Sequence, residues 1–534
     1  MKRYDYIIIG TGAGGSTLAY SLAKTGKSIL ILERGDFIPR EVDNWDPQKV
    51  FTEGKYRTKE KWVDKDNKEF EPFTHYCVGG NTKMYGAALL RMRETDFKAV
   101  KHYGGTSPAW PISYEDLEPY YLKAENLYHV RGKRGVDPTD PPSSGPYRYP
   151  PLKHEPRMKE LFDAFKKQGL QPSPLAIGVR LPKDKKVRTS KLVLSNFDGY
   201  PDPTESKSDS HVIALNKALK EKKVTLKTNH KVEKLLTDES GKNVTTVVCT
   251  NKKGKQKEYS AGKIIVSCGA INSAALLLRS SSTQHPNGLG NSSGHVGRNL
   301  MLHNNGTVVA ISKKPNDSIF QKSLILNDFY HGADDSTLPL GSIQMMGKTD
   351  PDTLKGELEE LSPDKNYGDL EDVSKHSIDF FITAEDLPDP NNRVEITNEG
   401  KIQLKYESNN LEAYQRLRKK LIDLLDHVGC EEGYAKDNAY VGFKLGISGV
   451  SHQNGTCRFG TDPTKSVLDT NCKAHDLNNL YVVDSSFFCS SSAVNPSLTI
   501  IANALRVADH LKSFHVKETP KEEKIVEVND AGKV

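Results

Sequence analysis

The 534-residue chain has no apolar run approaching the roughly 20 residues that a membrane-crossing helix needs. Its N-terminus, Met1-Lys-Arg-Tyr-Asp-Tyr-Ile-Ile-Ile-Gly10, lacks the apolar length and small-residue cleavage site of a signal peptide, and Asp5 interrupts it. Cysteine is scarce: seven residues, an odd number, scattered and without a Cys-x-x-Cys pair. That excludes a disulfide framework and a zinc site, and it sets the expectation of a reducing, cytoplasmic compartment. Charge of one sign is also missing, since 75 basic residues against 69 acidic ones leave a net +6. No overall field therefore favours nucleic acid. The clusters Lys183–Arg188 and Lys252–Lys257 read as solvated loops. There is no internal repeat.

What is present is a soluble composition on a chain long enough for two to four domain-sized units. The apolar run Tyr4–Ile9 reads as a strand, Gly10-Thr-Gly-Ala-Gly-Gly15 as a turn, Ser16–Lys24 as a helix and Ser28–Leu32 as a second strand. Such a unit opens a doubly wound α/β domain. Gly10, Gly12 and Gly15 have the Gly-x-Gly-x-x-Gly spacing between strand and helix. The first allows the tight turn, the second lets a pyrophosphate approach the backbone, and the third packs helix on strand. Glu33 ends the second strand, where a carboxylate accepts hydrogen bonds from ribose hydroxyls. The motif implies a dinucleotide without separating FAD from NAD.

Further along, Lys263–Gly269 reads as a buried strand entering the helix Ala270–Leu278, preceded by Val224–Leu226 and hairpin-like segments around Asn243. Val136–Pro156, rich in Gly, Pro and Tyr, is expected to be an ordered surface excursion. Arg393–Thr397 and Lys401–Lys405 read as a hairpin. Asn410 is placed to cap a helix with Leu411, Tyr414, Leu417, Leu421, Leu424 and Val428 on its apolar face, ended by Gly429. In Asn495-Pro-Ser-Leu-Thr499, Asn495 is expected as N-cap and Pro496 as first helical residue of a helix to Leu511.

The C-terminal third holds Ser451-His-Gln-Asn-Gly-Thr456, then Tyr481-Val-Val-Asp484, then Asn495-Pro496. These residues resemble the C-terminal signature of the glucose–methanol–choline (GMC) family of flavoenzymes, which oxidise alcohols. Cys77-Val-Gly-Gly-Asn-Thr-Lys-Met84 resembles the family segment that runs along the flavin, at Gly79, Gly80, Asn81 and Thr82, with Asn81-Thr82 where the family has Ser-Ser. Val296–Leu300 with His303 is a further match, to which no catalytic role attaches. The resemblance implies FAD as cofactor, Val232 at the adenine and Asp484 near the ribityl chain. It implies an α/β fold with a discontinuous Rossmann-like FAD-binding domain (1–100, 205–303 and 450–513). A mixed α+β substrate-binding domain and cap built on an antiparallel sheet takes 101–204 and 304–449, and 514–534 is expected as a disordered tail. Some members attach the flavin through a His at the place where this chain has Met84; a thioether cannot form that bond, so the FAD is expected to be non-covalent. Some relatives bind an iron–sulfur centre between the two flavin-domain halves, but Ser190–His211 contains no Cys to ligate one, and no metal is expected.

Oxidising a CH–OH group by hydride transfer to flavin N5 requires the hydroxyl proton to leave at about the same time, so a base must lie against that oxygen. A neutral imidazole has the right basicity, and the resemblance implies His452 as that base and Asn495 as the residue whose carboxamide can hold the same oxygen. The expected partners are a small-molecule alcohol and an electron acceptor: oxygen, a quinone or a redox protein. The segment Lys322–Asp389 is expected to cover the pocket with Asn327, Tyr330, His331, Gln344, Phe380, Phe381 and Glu385, a lining suited to a sugar, glycoside or polyol. Two alternatives remain at this point: a lyase of the same family that keeps FAD only structurally, and an oxidoreductase for a non-sugar alcohol.

Overall fold

A computed structural model describes residues 3–181, 196–352, 354–355, 369–430, 440–441, 444–449 and 451–516. The basic cluster at 183–188, residues 190–195 and the tail from 517 lie outside them. The apolar N-terminal run forms the strand Arg3–Ile9, with Ile29–Leu32 parallel on one side and Gln256–Val266 parallel on the other. Val224–Lys227 extends the first side, and Leu480–Val482 pairs parallel with the end of Gln256–Val266. Helices cover the parallel strands, which accounts for the unbroken burial of Ile29–Leu32. The expected Rossmann-like α/β arrangement is what the strands form.

Gln256–Val266 is longer than expected. Its first half, polar and exposed, pairs antiparallel with Val244–Asn251, which in turn pairs with His230–Thr237; its apolar second half enters the parallel sheet. Lys252–Lys257 lies at the hairpin turn so formed, as its charge implies. A second sheet is antiparallel throughout, in the order Tyr440–Val441, Asn304–Ile311, Ser377–Ala384, Ser342–Met345, Leu324–Leu326, Ser173–Pro174. Helices Pro156–Lys167 and Leu411–Asp426 pack on one face of it with a separate apolar core. A four-stranded sheet joins the hairpin Arg393–Ile396/Ile402–Lys405 to Trp62–Val63 and Glu69–Phe70. Among the described residues no helix is long and apolar enough to cross a membrane.

Three local expectations need correction. The first helix starts at Ala13 and includes Gly14 and Gly15 in its opening turn. A side chain at Gly14 would come within 1.9 Å of the Val483 carbonyl, so glycine there allows helix and strand to approach closely. Asn410 does not cap its helix: it is left-handed (φ 52°), and its carboxamide instead accepts from the Gly104 amide and donates to the Glu385 carbonyl. The buried face of that helix is Ala413, Tyr414, Leu417, Leu421 and Leu425, whereas Leu411 is exposed. The last helix runs from Ser497 to Val516, past the expected end at Leu511 and into the segment expected to be disordered. The excursion after Val136 is ordered, with Arg134 lying 3.8 Å over the ring of Tyr147 and pairing with Glu125.

Candidate active site

One cavity of about 1040 Å³ reaches from the glycine turn of the first strand to the cavity-facing side of the antiparallel sheet. At the first end it is lined by Gly10, Gly12, Glu33 and Val232. The three motif glycines have different local reasons. A Cβ on Gly10 (φ 100°) would sit 2.3 Å from the Ser267 carbonyl, and one on Gly15 would sit 2.2 Å from the Gly10 carbonyl. A Cβ on Gly12 would meet nothing within 4 Å. Gly12 therefore faces open cavity, in front of the amides that begin the Ala13–Ala23 helix, as an anion cradle requires. Glu33 is buried, and its carboxylate accepts from the amide and hydroxyl of Thr11 (3.0 and 2.6 Å) and from the Gly35 amide (2.9 Å). Burial raises its pKa against these bonds.

Gly80, Asn81, Thr82 and Met84 line the middle of the cavity. Gly79 and Gly15 do not. Gly79 is left-handed (φ 100°) and its amide donates to Thr11 Oγ1, which fixes this loop to the glycine turn. Asp484 lines the cavity and accepts from the Gly269 amide at 3.0 Å, from the Ser486 amide at 2.9 Å and from the hydroxyls of Ser273 and Ser486. Its carboxylate thus ties the start of the Ala270–Arg279 helix to the C-terminal segment, and burial raises its pKa.

His452 is positioned by strapping of its segment to Val296–His303. Gly297 N donates to the Thr456 carbonyl, Met301 and Asn454 exchange backbone hydrogen bonds, and Thr456 Oγ1 donates to the Ala270 carbonyl. A side chain at Gly455 (φ 87°) would collide with the Asn299 carbonyl at 2.4 Å. Continuing the antiparallel Met301↔Asn454 pair by two residues sets His303 opposite His452. Their Nδ1 atoms lie 3.0 Å apart, and the other ring nitrogen of His303 lies 2.9 Å from the Ser491 carbonyl. Asn305 brings its carboxamide nitrogen to 3.3 Å from the same Nδ1 of His452. On the other side, His452 Nε2 is 3.4 Å from Asn495 Nδ2, and Gln344 Nε2 donates to Asn495 Oδ1 at 3.0 Å. Burial, then the neighbouring His303 and then Lys322, hold the pKa of His452 well below its ordinary value, so the imidazole is neutral.

Asn495 is not the N-cap. Ile500 N donates to the Pro496 carbonyl, which puts Pro496 at the cap and Asn495 one residue outside, its carboxamide turned to His452 and Gln344. Of the residues expected to cover the pocket, Phe381 lines the cavity and Gln344 reaches it through Asn495. The others do not line it. Strand alternation explains Phe380: Thr307 and Phe381 pair across the sheet facing the cavity, while Val308 and Phe380 face the helices. Asn327 donates to Asp137, Tyr330 donates to Asp96, His331 packs edge-on against Tyr330, and Glu385 lies 3.2 Å from His102. In their place the sheet end of the cavity carries Asn305, Thr307, Lys348 and an ion pair, Lys322–Asp198 at 2.6 Å. Gly86 and Gly347 make room for that pair, since a side chain on either would overlap Asp198. Partners 124 positions apart left no sequence signal. Among the described residues no group of three or more His, Cys, Asp or Glu side chains could hold a metal ion.

The glycine turn and a half-buried imidazole line one cavity, and sequence comparison assigns the family. Residues 4–305 and 407–504 match the two family profiles described as GMC oxidoreductase, and the chain belongs to that family of FAD-dependent enzymes acting on CH–OH groups. It is 28% identical to 6'''-hydroxyparomomycin C oxidase of Streptomyces lividus, over 96% of this chain and 92% of that protein. It is 27% identical to 2-methyl-1,2-propanediol dehydrogenase of Mycolicibacterium austroafricanum, over 95% of each. The fold is that of pyridoxine 4-oxidase from Mesorbium loti, with a TM-score of 0.65 at 18% identity, covering 96% of this chain and 99% of the other.

Proposed function

We propose that the protein oxidises a hydroxyl of a sugar, glycoside or polyol, with His452 as the catalytic base and Asn495 holding the alcohol oxygen. The observation that carries this reading is the pairing of a half-buried, neutral His452 Nε2 with the Asn495 carboxamide in the wall of the cavity that also contains the glycine turn. An alcohol oxygen between the two receives a hydrogen bond from Asn495 Nδ2 and gives its proton to His452 Nε2 as the carbon loses hydride. FAD, when bound, supplies the hydride acceptor at N5. Gly10, Gly12, Gly15, Glu33, Gly79, Gly80, Asn81, Thr82, Val232, Asp484, Asn495 and Pro496 are assigned to holding it. Of these, Gly15 and Gly79 act by shaping the turn and loop. The start of the Ser497–Val516 helix faces the cavity, where its partial positive charge favours an anionic reduced ring.

The substrate class is supported by the lining. Lys322, Asp198, Asn305 and Thr307 offer donors and acceptors beside the apolar face of Phe381, the combination a polyhydroxylated molecule needs and a sterol does not. Relatives named for a hydroxyparomomycin and for a diol are compatible with it. Residues 1–100, 205–303 and 450–513 are assigned to the FAD-binding domain and 101–204 and 304–449 to the substrate side. The acceptor is oxygen, a quinone or a redox protein. None of the seven cysteines is joined in a disulfide, which supports a cytoplasmic location. Anaerobic mixing of the holoenzyme with pyranoses, glycosides, polyols, choline, aryl alcohols and sterols tests the assignment by flavin bleaching. Bleaching by a sugar or polyol is expected. Bleaching by sterols or aliphatic alcohols alone would reject the substrate class, and none by any alcohol would favour the lyase.

A further inference from the structure

His303 was legible only as the end of a family motif, yet it is fully buried, held in left-handed backbone (φ 58°), and in contact with His452. A non-glycine residue keeps that conformation only where its surroundings impose it. The hydrogen-bond logic is closed. A carbonyl oxygen only accepts, so the His303 Nε2 beside the Ser491 carbonyl must carry the proton. Burial keeps His303 neutral, so its Nδ1 is bare and accepts. The partner at 3.0 Å, His452 Nδ1, must then be the donor, which leaves the lone pair of His452 on Nε2, the atom facing Asn495 and the cavity. Asn305 agrees when its amide is turned end for end: its Oδ1, without a partner among the described residues, then accepts from the same Nδ1–H.

We propose that His303 is a positioning residue for alcohol oxidation: through the chain Ser491 carbonyl, His303, His452, it fixes the tautomer and ring plane of His452 so that Nε2 is the proton acceptor. This rests on the reading of His452 as base. The charged groups around the histidine pair are Lys322 on the cavity side, Glu385 near His303, and Lys444, which lines with His303 a small cavity of about 130 Å³ behind the pair. None of them contacts His452 Nδ1, so the orienting contacts are His303 and Asn305.

The test is the rate of anaerobic flavin reduction against pH in holoenzyme variants, using whichever alcohol bleaches the wild-type flavin. His303→Ala removes the acceptor and slows reduction by about 10–100-fold, the scale on which partners that orient a functional histidine act. His303→Asn tolerates left-handed backbone and presents Oδ1 near the former Nδ1, so it recovers most of the rate. His303→Asp sets a carboxylate against Nδ1–H, favours the imidazolium of His452, and moves the acid limb of the profile to higher pH. A purely structural role moves no pH limb. A His303→Ala enzyme as fast as wild type overturns the proposal; so does an acid limb in His303→Asp that coincides with that of His303→Asn, a comparison that stands even if the alanine variant does not fold. His452→Ala measured alongside separates the two levels. Unimpaired reduction there removes the base itself, whereas loss there with a flat His303 series removes only the positioning role.

Discussion

Gly12→Ala and Gly10→Ala change neighbouring glycines of one motif, and the structure predicts opposite failures. Gly12 has φ −67° and ψ −166°, open to any residue, and an added methyl meets nothing within 4 Å. Losing glycine's freedom in the unfolded chain then changes protein stability by only about 0.4–1 kcal/mol, in the stabilising direction. The methyl, however, occupies the cavity in front of the Ala13–Ala23 helix amides, where the pyrophosphate of FAD is assigned. An overlap there costs about 1–3 kcal/mol, or roughly 5- to 150-fold in Kd. Gly10→Ala is the reverse case. Left-handed backbone costs about 1–2 kcal/mol and overlap with the Ser267 carbonyl at 2.3 Å about 1–3 more, all charged to folding. Urea unfolding of the apoproteins and FAD titration by flavin fluorescence read the two quantities separately. A Gly12→Ala protein that binds FAD as tightly as wild type, or that loses stability as Gly10→Ala does, refutes the account of the cradle.

Two further outcomes follow from buried groups. Acid precipitation releases the flavin, identified as FAD, because Met84 stands in the cavity wall where a linking His would be needed; flavin retained by the denatured chain would contradict this. Burial raises the Asp386 pKa to about 7, against hydrogen bonds from the Leu302 amide and the Tyr406 hydroxyl. A raised carboxyl pKa contributes stability at low pH that is lost as pH climbs from the unfolded value, near 4, through 7. The unfolding free energy of wild type minus that of Asp386→Asn therefore falls across that window, by an amount on the order of 4 kcal/mol; a pH-independent difference would contradict the shift.

The parts of the fold legible in sequence are those fixed by local physics. An apolar β-branched run before Gly10-Thr-Gly-Ala-Gly-Gly15 reads as a strand entering a helix, and the structure forms both, whereas Asp484 was nominated by the family resemblance alone. His452 and Asn495 were nominated by their resemblance to a family signature, and the structure brings their side chains to 3.4 Å of each other. What sequence could not show is pairing across distance. His303 meets His452 through register set by Met301 and Asn454, and Lys322 meets Asp198 through the sheet and loop that carry them. Alternation likewise decides Phe381 over Phe380, yet a strand buried on both faces gives no alternating signal from which to choose. Asn410 and Asn495 were both expected as caps from composition, and both spend their carboxamides on tertiary contacts instead.

The most direct test of the central claim is stopped-flow flavin reduction under anaerobic conditions in wild type and His452→Ala. Wild type should bleach with a sugar or polyol. His452→Ala, with FAD content unchanged because the cradle lies elsewhere in the cavity, should reduce about two to four orders of magnitude more slowly, the scale of a positioned acid–base group. An unchanged rate in the variant would remove His452 from the mechanism and contradict the account.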